Sequence, residues 1–300
     1  RQVVSERGVL EVETAVLSEA GNTDPNRESF QLEFTGPVVA GERRRWLRTS
    51  PEHALKRLLA AGLGDCYELG RVFRNGEAGR RHNPEFSMLE WYRMGWDHRR
   101  LAEECADFVQ AAMALVGKRS TVREVSYRKL YRDKLGLDPF GASEDELFAP
   151  LAVFGLDPRD LSRDDLLDLL MTHLIQPALP ARRILVVYDY PASQCALARV
   201  RDGDPPVAER FELYLGPLEL ANGYHELIDA EEQGQRFQRD LALRRKRRLV
   251  QPPADARLLA GLEAGVPACA GVALGVERLL MGMTGTEEIA DVIAFPFDRA

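Results

Sequence analysis

The stretch that decides the fold is RVFRNGEAGRRHNPEFSMLEWYR, residues 71–93. Apolar and polar residues alternate on either side of a polar loop at Asn75–Asn83, which predicts a long antiparallel hairpin. The loop region carries dense charge, at Arg74, Glu77, Arg80, Arg81, His82 and Glu85. Cations on a loop that two strands hold in place suit the binding of a polyanion such as a triphosphate. Taken alone, the same charges also fit a solvated surface loop.

The order of residues in this stretch carries a resemblance. Arg-Val-Phe-Arg-Asn-Gly-Glu, followed by His-Asn-Pro-Glu-Phe and Met-Leu-Glu-Trp-Tyr, resembles the second signature motif of class II aminoacyl-tRNA synthetases in its lysyl form. The resemblance implies an ATP site with these contacts: Arg74 at the α-phosphate, Glu77 at the adenine amino group, Phe86 on the adenine ring, His82 near the γ-phosphate, and Asn75 and Asn83 beside the nucleotide. A fixed guanidinium stabilises charge at a phosphorus under attack, and an aromatic face suits a purine.

Composition limits the class of protein. The chain has 300 residues, 45% of them hydrophobic and 29% charged, as in a soluble globular protein with a core of its own. The four cysteines are far apart and lack metal-binding spacing, which argues for a reducing, cytoplasmic compartment. No apolar run is long enough for a membrane span, and no export signal is visible. The net charge of −7 makes general attraction to nucleic acid, tRNA included, unexpected.

The N-terminal region predicts a dimerisation element. Residues 1–8 indicate the end of a helix closed by Gly8, and the alternation over Val9–Thr14 predicts a strand. The pair resembles the first class II motif, through which those enzymes dimerise, so a homodimer is expected. Ala15 stands where the family has proline. Because the chain starts at Arg1 inside an apparent helix, we expect the natural N-terminus to lie further upstream.

Ser50-Pro51-Glu52 has two interpretations. A strand is predicted at Trp46–Thr49, Arg43–Arg45 before it suggests a solvated turn, and a helix is predicted at His53–Ala61. Ser50 as N-cap and Pro51 at the first helical position make good capping chemistry. In lysyl-type class II enzymes the matching Ser50, Pro51 and Glu52 line the amino-acid pocket, and the resemblance adds Tyr92 to it.

The middle of the chain predicts helices and then strands. Residues 97–117 predict an amphipathic helix whose apolar stripe comprises Leu101, Cys105, Phe108, Ala112 and Leu115. Residues 120–180 alternate helical stretches with turns and are predicted to be a helical insertion, with Ser143 and Ser162 as N-caps. Strands are predicted at Arg183–Pro191 and Phe211–Leu215.

The segment LELANGYHELID contains two acidic residues of interest. Asn222-Gly223 between apolar runs predicts a two-residue hairpin turn, which would place Glu219 directly opposite Glu226. Opposed carboxylates repel, so we expect a cation between them, with Mg²⁺ accompanying ATP as the candidate. An exposed hairpin that tolerates the repulsion is the alternative. The resemblance assigns Glu219 and Leu220 to ATP, Glu226 to the substrate ammonium, and both glutamates to metal.

Two further stretches lie near the C-terminus. The run Arg244–Arg248 ends a charged helix predicted at Asp229–Leu249, and we interpret it as a solvated helix end or a contact for an acidic partner. Gly271-Val-Ala-Leu-Gly275 leading into an apolar helix resembles the third class II motif. This resemblance places Gly275 at ATP and makes Arg278 the γ-phosphate ligand and, with Arg74, a catalytic residue.

Two features point to one branch of the family. No anticodon-binding domain precedes the catalytic motifs, and Ala273 stands where lysyl-tRNA synthetases have glycine, which crowds the amino-acid pocket. Both features, with Pro-Ala-Ser-Gln and Glu-Leu-Ala-Asn-Gly, resemble the elongation factor P lysyltransferases. The implied fold is α+β, a single class II catalytic domain over residues 1–300 with an antiparallel β-sheet flanked by helices. The implied activity joins (R)-β-lysine or lysine to elongation factor P, using ATP and Mg²⁺.

Three other functions stay open on the sequence. The chain could be the core of a lysyl-tRNA synthetase that charges tRNA. It could be a non-catalytic paralogue acting as a regulatory subunit, although the intact Arg74, Glu77, Glu219, Glu226 and Arg278 speak against this. The Arg244–Arg248 run could also form an RNA-binding module, which strongly salt-dependent binding would support.

Overall fold

The computed structural model describes Val4, residues 6–37, Gly41, residues 43–157, Arg159 and residues 161–300. Its strands are β1 (Leu10–Glu11), β2 (Leu17–Ser18), β3 (Gln31–Glu33), β4 (Arg44–Leu47), β5 (Cys66–Phe73), β6 (Glu85–Met94), β7 (Thr121–Ser126), β8 (Arg183–Pro191), β9 (Val200–Arg201), β10 (Val207–Leu215), β11 (Leu218–His225) and β12 (Cys269–Gly275). Its α-helices are α1 (Glu52–Ala60), α2 (His98–Leu115), α3 (Tyr127–Leu135), α4 (Glu144–Phe148), α5 (Arg163–Leu170), α6 (Ala230–Lys246), α7 (Ala256–Gly265) and α8 (Val276–Thr284). The chain divides into two compact units, residues 1–95 with 227–300, and residues 96–226.

The first unit is built on the predicted hairpin. Strands β5 and β6 are antiparallel, with Phe73 paired to Glu85 at the loop end, so this prediction is confirmed. Strand β12 pairs antiparallel with the other edge of β6, and β1 runs parallel beside β5. Strands β2, β4 and β3 form a separate antiparallel sheet, and α1 packs against α7. Antiparallel pairing with flanking helices confirms the α+β class.

Several predicted boundaries in this unit are wrong. Strand β1 is two residues long where Val9–Thr14 was predicted, and the helix predicted before Gly8 lies largely outside the described residues. Strand β4 begins at Arg44, because Arg44 and Arg45 pair with β3 and do not form a solvated turn. Helix α1 begins at Glu52 with Pro51 at the N-cap position. The Ser50 hydroxyl still accepts a hydrogen bond from the Glu52 N–H at 3.0 Å, as a capping side chain would.

The second unit combines a mostly antiparallel sheet with the helical insertion. Its strands lie in the order β11-β10-β8-β7, with β9 on β10 and with β7 parallel to β8. The strand β7 was not predicted, since TVREVS lies between helical stretches. Helices α3 to α5 lie within residues 120–180, the range of the predicted helical insertion, and Ser143 and Ser162 each form a capping box.

The predicted apolar stripe of α2 is partly wrong. Leu101 and Cys105 are buried as expected, but Leu115 is 84% exposed at the helix end. The buried face also includes Ala102, Ala106, Val109 and Met113. The predicted stripe has helical spacing but runs along the edge of the buried face, whose centre lies nearer Ala102 and Val109.

The predicted hairpin turn at Asn222-Gly223 is wrong. Both residues lie inside β11, where Asn222 pairs with Glu212 and Gly223 with Phe211. The turn lies earlier, at Gly216-Pro217, with Leu215 paired to Leu218. Gly216 has φ +57, a conformation that glycine adopts without strain. Glu219 and Glu226 are therefore not opposed across a turn.

Two further findings concern membrane-spanning helices and the cysteines. Among the described residues, no helix is long and apolar enough to cross a membrane. All four cysteines are thiols outside disulfides, and burial raises the pKa of the Cys66 thiol to about 12, which makes it unreactive.

Candidate active site

The loop between β5 and β6 is held by backbone hydrogen bonds. The Arg74 N–H donates to the Pro84 carbonyl at 2.8 Å, which closes the base of the loop. The Asn75 N–H donates to the Glu28 carbonyl at 2.8 Å, and Gly79 and His82 bond to each other across the tip. The charged side chains therefore stand on a fixed backbone, as the hairpin predicted.

Three of the predicted ATP residues lie together at the base of this loop. The Arg74 guanidinium lies 5.1 Å from the centre of the Phe86 ring. Its Nη1 lies 3.6 Å from a carboxylate oxygen of Glu77. A cation beside an aromatic face and a hydrogen-bond acceptor can receive a phosphate, a flat heterocycle and an amino group.

Two more predicted ATP residues meet where α8 begins. Nη2 of Arg278 donates to Nε2 of His82 at 2.7 Å, and Nε of Arg278 lies 3.4 Å from the Arg81 carbonyl. Desolvation and then the Arg278 charge lower the pKa of His82, so the ring is neutral near pH 7 and can accept this bond. Desolvation, Arg80 and Arg278 likewise lower the pKa of Arg81. The crowded positive charge favours an anion here.

Asn83 is engaged within the protein. Its side-chain nitrogen donates to the Glu85 carbonyl at 2.6 Å, and its oxygen accepts from the Phe297 N–H at 3.0 Å. The residue is 8% exposed. It thus links the loop to the C-terminal segment. Its assignment to the nucleotide stays a prediction, as does that of the more exposed Asn75.

Ser50 and Tyr92, predicted for the amino-acid pocket, meet on one carboxylate. The Ser50 hydroxyl donates to Glu90 Oε2 at 2.7 Å, and the Tyr92 hydroxyl donates to Glu90 Oε1 at 2.9 Å. Glu52 beside them is bound by Nζ of the buried Lys56 at 2.7 Å. Pro51, the residue between them in sequence, is buried. Of the predicted pocket residues, Ser50 and Tyr92 are therefore joined through a residue that was not assigned.

Glu90 and Glu68 are the residues that the sequence interpretation missed. They face each other directly on β6 and β5, and both are at most 3% exposed. Arg48 lies 2.7 Å from Glu68, which compensates one charge of this like-charged pair. Alternation along MLEWY puts Glu90 and Tyr92 on one side of β6, and this signal could have identified Glu90.

Ala273 lies in the row of residues that contains both glutamates. On β12 it is directly opposite Glu90, so Glu68, Glu90 and Ala273 follow one another across three strands. The strand then ends at Gly275, which is the N-cap of α8. The third predicted motif therefore brings Ala273 to the carboxylate of the pocket and Arg278 to His82.

The remaining predicted residues, Glu219, Leu220 and Glu226, belong to the second unit. The register of β10 and β11 shifts between Leu213 and Tyr214, which leaves Leu220 as an extra residue, a β-bulge. Glu219 and Glu226 are seven positions apart, so in a regular strand their side chains would lie on opposite faces of the sheet. The extra residue of the bulge shifts this alternation by one and puts them on the same face. Glu226 is 2% exposed and forms an isolated bridge with Ala198.

The strand also separates these two carboxylates. Residues 219–226 span roughly 20 Å of extended chain. The single ion between opposed carboxylates, which the hairpin predicted, therefore lacks a geometric basis. The split of Glu219 to ATP and metal, and of Glu226 to an ammonium, fits the spacing better and stays a prediction. Across the described part of the chain, no group of three or more His, Cys, Asp or Glu is placed to hold a metal ion.

Comparison with known proteins decides the family. The family model of class II tRNA synthetases (D, K and N) matches residues 1–299. The chain belongs to this family.

Three similar relatives within this class II family share one name. The chain is 48% identical over 302 residues to the elongation factor P–(R)-β-lysine ligase of Mannheimia succiniciproducens, covering 100% of this chain and 92% of the relative. It is 46% identical to the ligase of that name from Vibrio vulnificus, with 100% and 93% coverage. The ligase of Haemophilus influenzae is also 46% identical, with 100% and 92% coverage. These matches place the class II chain among the elongation factor P–(R)-β-lysine ligases.

Proposed function

We propose that this protein uses ATP to activate (R)-β-lysine, or lysine, as an aminoacyl adenylate and transfers it to the ε-amino group of a lysine of translation elongation factor P. The family membership supports the substrates, because the relatives are named for this reaction. The observation that carries the proposal is the row of Glu68, Glu90 and Ala273 beside the hydroxyls of Ser50 and Tyr92. This row holds a buried carboxylate that fixes both hydroxyls, and the Ala273 methyl reduces the space beside it.

The ATP contacts follow from the first unit. Arg74 with Phe86 fits a phosphate and the adenine ring, and Arg278 with His82 fits the far end of a triphosphate. Desolvation and the charges of Arg80 and Arg278 lower the pKa of the nearby Arg81, so an anion bound here would relieve the repulsion. Glu77 beside Arg74 provides an acceptor for the adenine amino group.

Magnesium fits the donor set of the second unit. The carboxylate of Glu219 offers hard oxygen ligands of the kind that Mg²⁺ prefers. Mg²⁺ held by this glutamate would take its other ligands from phosphate and water. When bound, Mg²⁺ neutralises phosphate charge.

The first step needs little from the protein beyond position and charge. The carboxylate of lysine attacks the α-phosphorus, the bond to the β-phosphate oxygen breaks, and the products are lysyl adenylate and pyrophosphate. The nucleophile is already ionised, so no general base is required. Arg74 and Arg278 stabilise negative charge as it shifts between the phosphates.

The second step forms an amide. The neutral ε-amine of the acceptor lysine attacks the adenylate carbonyl carbon, the carbon–oxygen bond to AMP breaks, and a proton leaves the nitrogen. Glu90 orients the Ser50 and Tyr92 hydroxyls in the amino-acid pocket. The family resemblance assigns Glu226 to the substrate ammonium. Ala273 restricts the space at the α-carbon, which favours an amine on the β-carbon.

The protein is also expected to form a homodimer and to act on a protein acceptor in the cytoplasm. The family resemblance of residues 9–14 and the exposed apolar residues of the short N-terminal strands support a homodimer. The net charge of −7 makes tRNA an unexpected acceptor, and the cysteine usage supports a cytoplasmic location.

The test is intact-protein mass spectrometry of elongation factor P after incubation with the enzyme, ATP, Mg²⁺ and either lysine isomer. We expect a lysyl mass increment that forms faster with (R)-β-lysine. Arg278→Ala should slow it by on the order of 100-fold or more, as loss of a charge-stabilising donor does. The exposed Arg245→Ala is the matched control and should leave the rate unchanged. Efficient tRNA charging without protein modification would contradict the proposal.

A further inference from the structure

Strand β12 ends earlier than the strand beside it. Its last residue, Gly275, pairs with Met88, and the chain then turns into α8. Strand β6 continues three residues further, to Glu85. At the other edge of β6, Ser87 pairs with Arg71 of β5. A backbone N–H at such a step in the sheet needs a partner from outside the strands.

The side chain of Glu277 supplies that partner. Both of its carboxylate oxygens accept from the Ser87 N–H, each at 2.9 Å. Glu277 is 6% exposed, and Nη1 of Arg71 approaches one oxygen at 3.4 Å. An acidic residue in the first turn of a helix commonly stabilises the helix dipole. Here the carboxylate is directed at the strand instead, where it replaces the carbonyl of the missing strand residue.

This bond joins the two elements that carry the proposed ATP contacts. Phe86 immediately precedes Ser87 on β6, and Arg278 immediately follows Glu277 on α8. Arg278 in turn bonds His82 on the loop. A shift of α8 along β6 would change the spacing between the aromatic face and the Arg278 guanidinium. Misplacement of that order, far smaller than unfolding, is sufficient to weaken binding and catalysis.

We propose that Glu277 is a positioning residue that sets the distance between the adenine-binding and the phosphate-binding side chains, through its bond to the Ser87 N–H. The inference rests on the proposed function, since it takes ATP as the ligand. It predicts an effect confined to ATP, because the pocket of Ser50, Glu90 and Tyr92 lies on other bonds.

The experiment compares Glu277→Ala with Glu277→Gln. The glutamine keeps an acceptor oxygen for the Ser87 N–H, so its KM for ATP should stay within about twofold of the wild type. The alanine should raise the KM for ATP roughly tenfold or more while the KM for lysine stays within about twofold. Glu231→Ala is the control, because Glu231 is also a first-turn acidic residue but is exposed.

Two readouts do not depend on turnover. Calorimetry with a non-hydrolysable ATP analogue should show the same rise in Kd for the alanine variant. Hydrogen exchange followed by mass spectrometry should be faster in the peptide around Ser87, and slowed again in the glutamine variant. Thermal melting shows whether each variant is folded, and an unfolded alanine variant leaves the glutamine and Arg71→Ala variants for comparison.

Definite results would overturn the inference. An alanine variant with unchanged KM and Kd for ATP would refute it, and so would an equal rise in the KM for lysine. A glutamine variant as impaired as the alanine, with Arg71→Ala impaired alike, would assign the effect to the charge pair. If the wild type binds the analogue but shows no lysine-dependent ATP–pyrophosphate exchange, the proposed function fails and the Kd comparison still decides the role of Glu277.

Discussion

At the residue scale, the single methyl group of Ala273 bears on which lysine isomer the site prefers. It lies directly opposite Glu90, the carboxylate that accepts hydrogen bonds from the Ser50 and Tyr92 hydroxyls. We predict that Ala273→Gly shifts the ratio of kcat/KM for α-lysine over (R)-β-lysine by about tenfold towards α-lysine, since one methyl is worth about 1–3 kcal/mol. ATP–pyrophosphate exchange with each isomer measures the ratio. An unchanged ratio would remove Ala273 from specificity.

A second residue gives a pH dependence of stability. Desolvation raises the pKa of Asp240 from 3.8 to about 6, although the Thr23 hydroxyl bonds it. Below pH 4 the carboxyl is protonated in both the folded and the unfolded chain. As the pH rises through 6, the folded state must hold a desolvated charge, so this contribution to stability is lost.

The variant Asp240→Asn removes that charge and keeps an acceptor for Thr23. We expect its free energy of unfolding, relative to wild type, to improve by about 1–2 kcal/mol between pH 4 and pH 8. Urea unfolding at the two pH values measures the change. The exposed Asp107→Asn serves as a control. A difference that does not vary with pH would contradict the assignment.

At the scale of elements, the sequence was informative where a pattern was long and local. The alternation in residues 71–93 identified β5 and β6 and the loop that carries Arg74 and His82. The prediction of a turn at Asn222-Gly223 was wrong because this dipeptide also occurs inside strands. Here the neighbouring strand pairs with both residues, through Glu212 and Phe211. Glu90 was missed since its partners Ser50 and Ala273 come from distant segments, which one sequence does not connect.

The true turn provides a test of this correction. Gly216 has φ +57, and a Cβ there would lie 3.0 Å from Cα of Ala181. We predict that Gly216→Ala destabilises the fold by about 1–3 kcal/mol. Gly234→Ala in α6 meets open space and should stabilise by about 0.5–1 kcal/mol. Denaturant unfolding of both variants decides, and equal effects would argue against the turn at Gly216.

The arginine run of α6 also has an unexpected role. Arg244 is buried and donates to the Val250 carbonyl at 2.6 Å, to the Asp24 carbonyl at 2.9 Å and to Glu28 at 2.6 Å. For Arg244 the predicted solvated helix end is therefore wrong, while Arg245, Lys246, Arg247 and Arg248 are exposed. Through these bonds Arg244 holds the segment of residues 24–28, and the Glu28 carbonyl in turn accepts from the Asn75 N–H.

We predict that Arg244→Ala destabilises the protein by about 3 kcal/mol, because three acceptors lose a buried partner. Arg245→Ala, exposed and adjacent, should change stability by less than about 0.5 kcal/mol. Thermal unfolding of the two variants measures the contrast. Equal and small effects would return the whole run to the solvated surface.

At the scale of the whole molecule, exposed apolar residues on the short strands near the N-terminus concern assembly. Leu10, Leu17, Leu32 and Phe34 are 44–53% exposed in the monomer. We predict a dimer of twice 33.7 kDa by light scattering, and a shift to monomer for Leu32→Asp without loss of melting temperature. The exposed Val153→Asp, in the helical insertion, is the control. A wild-type monomer at micromolar concentration would contradict the prediction.

The bulge at Leu220 makes β11 sensitive to its count of residues. Removal of Leu220 would take out a buried side chain together with the extra residue of the bulge, and it would turn Glu219 to the opposite side of the sheet from Glu226. A three-nucleotide deletion at this codon would therefore change which face of the sheet carries Glu219, the residue for which we propose contacts to ATP and metal. In this strand the number of residues, as well as their identity, sets which face of the sheet each side chain occupies.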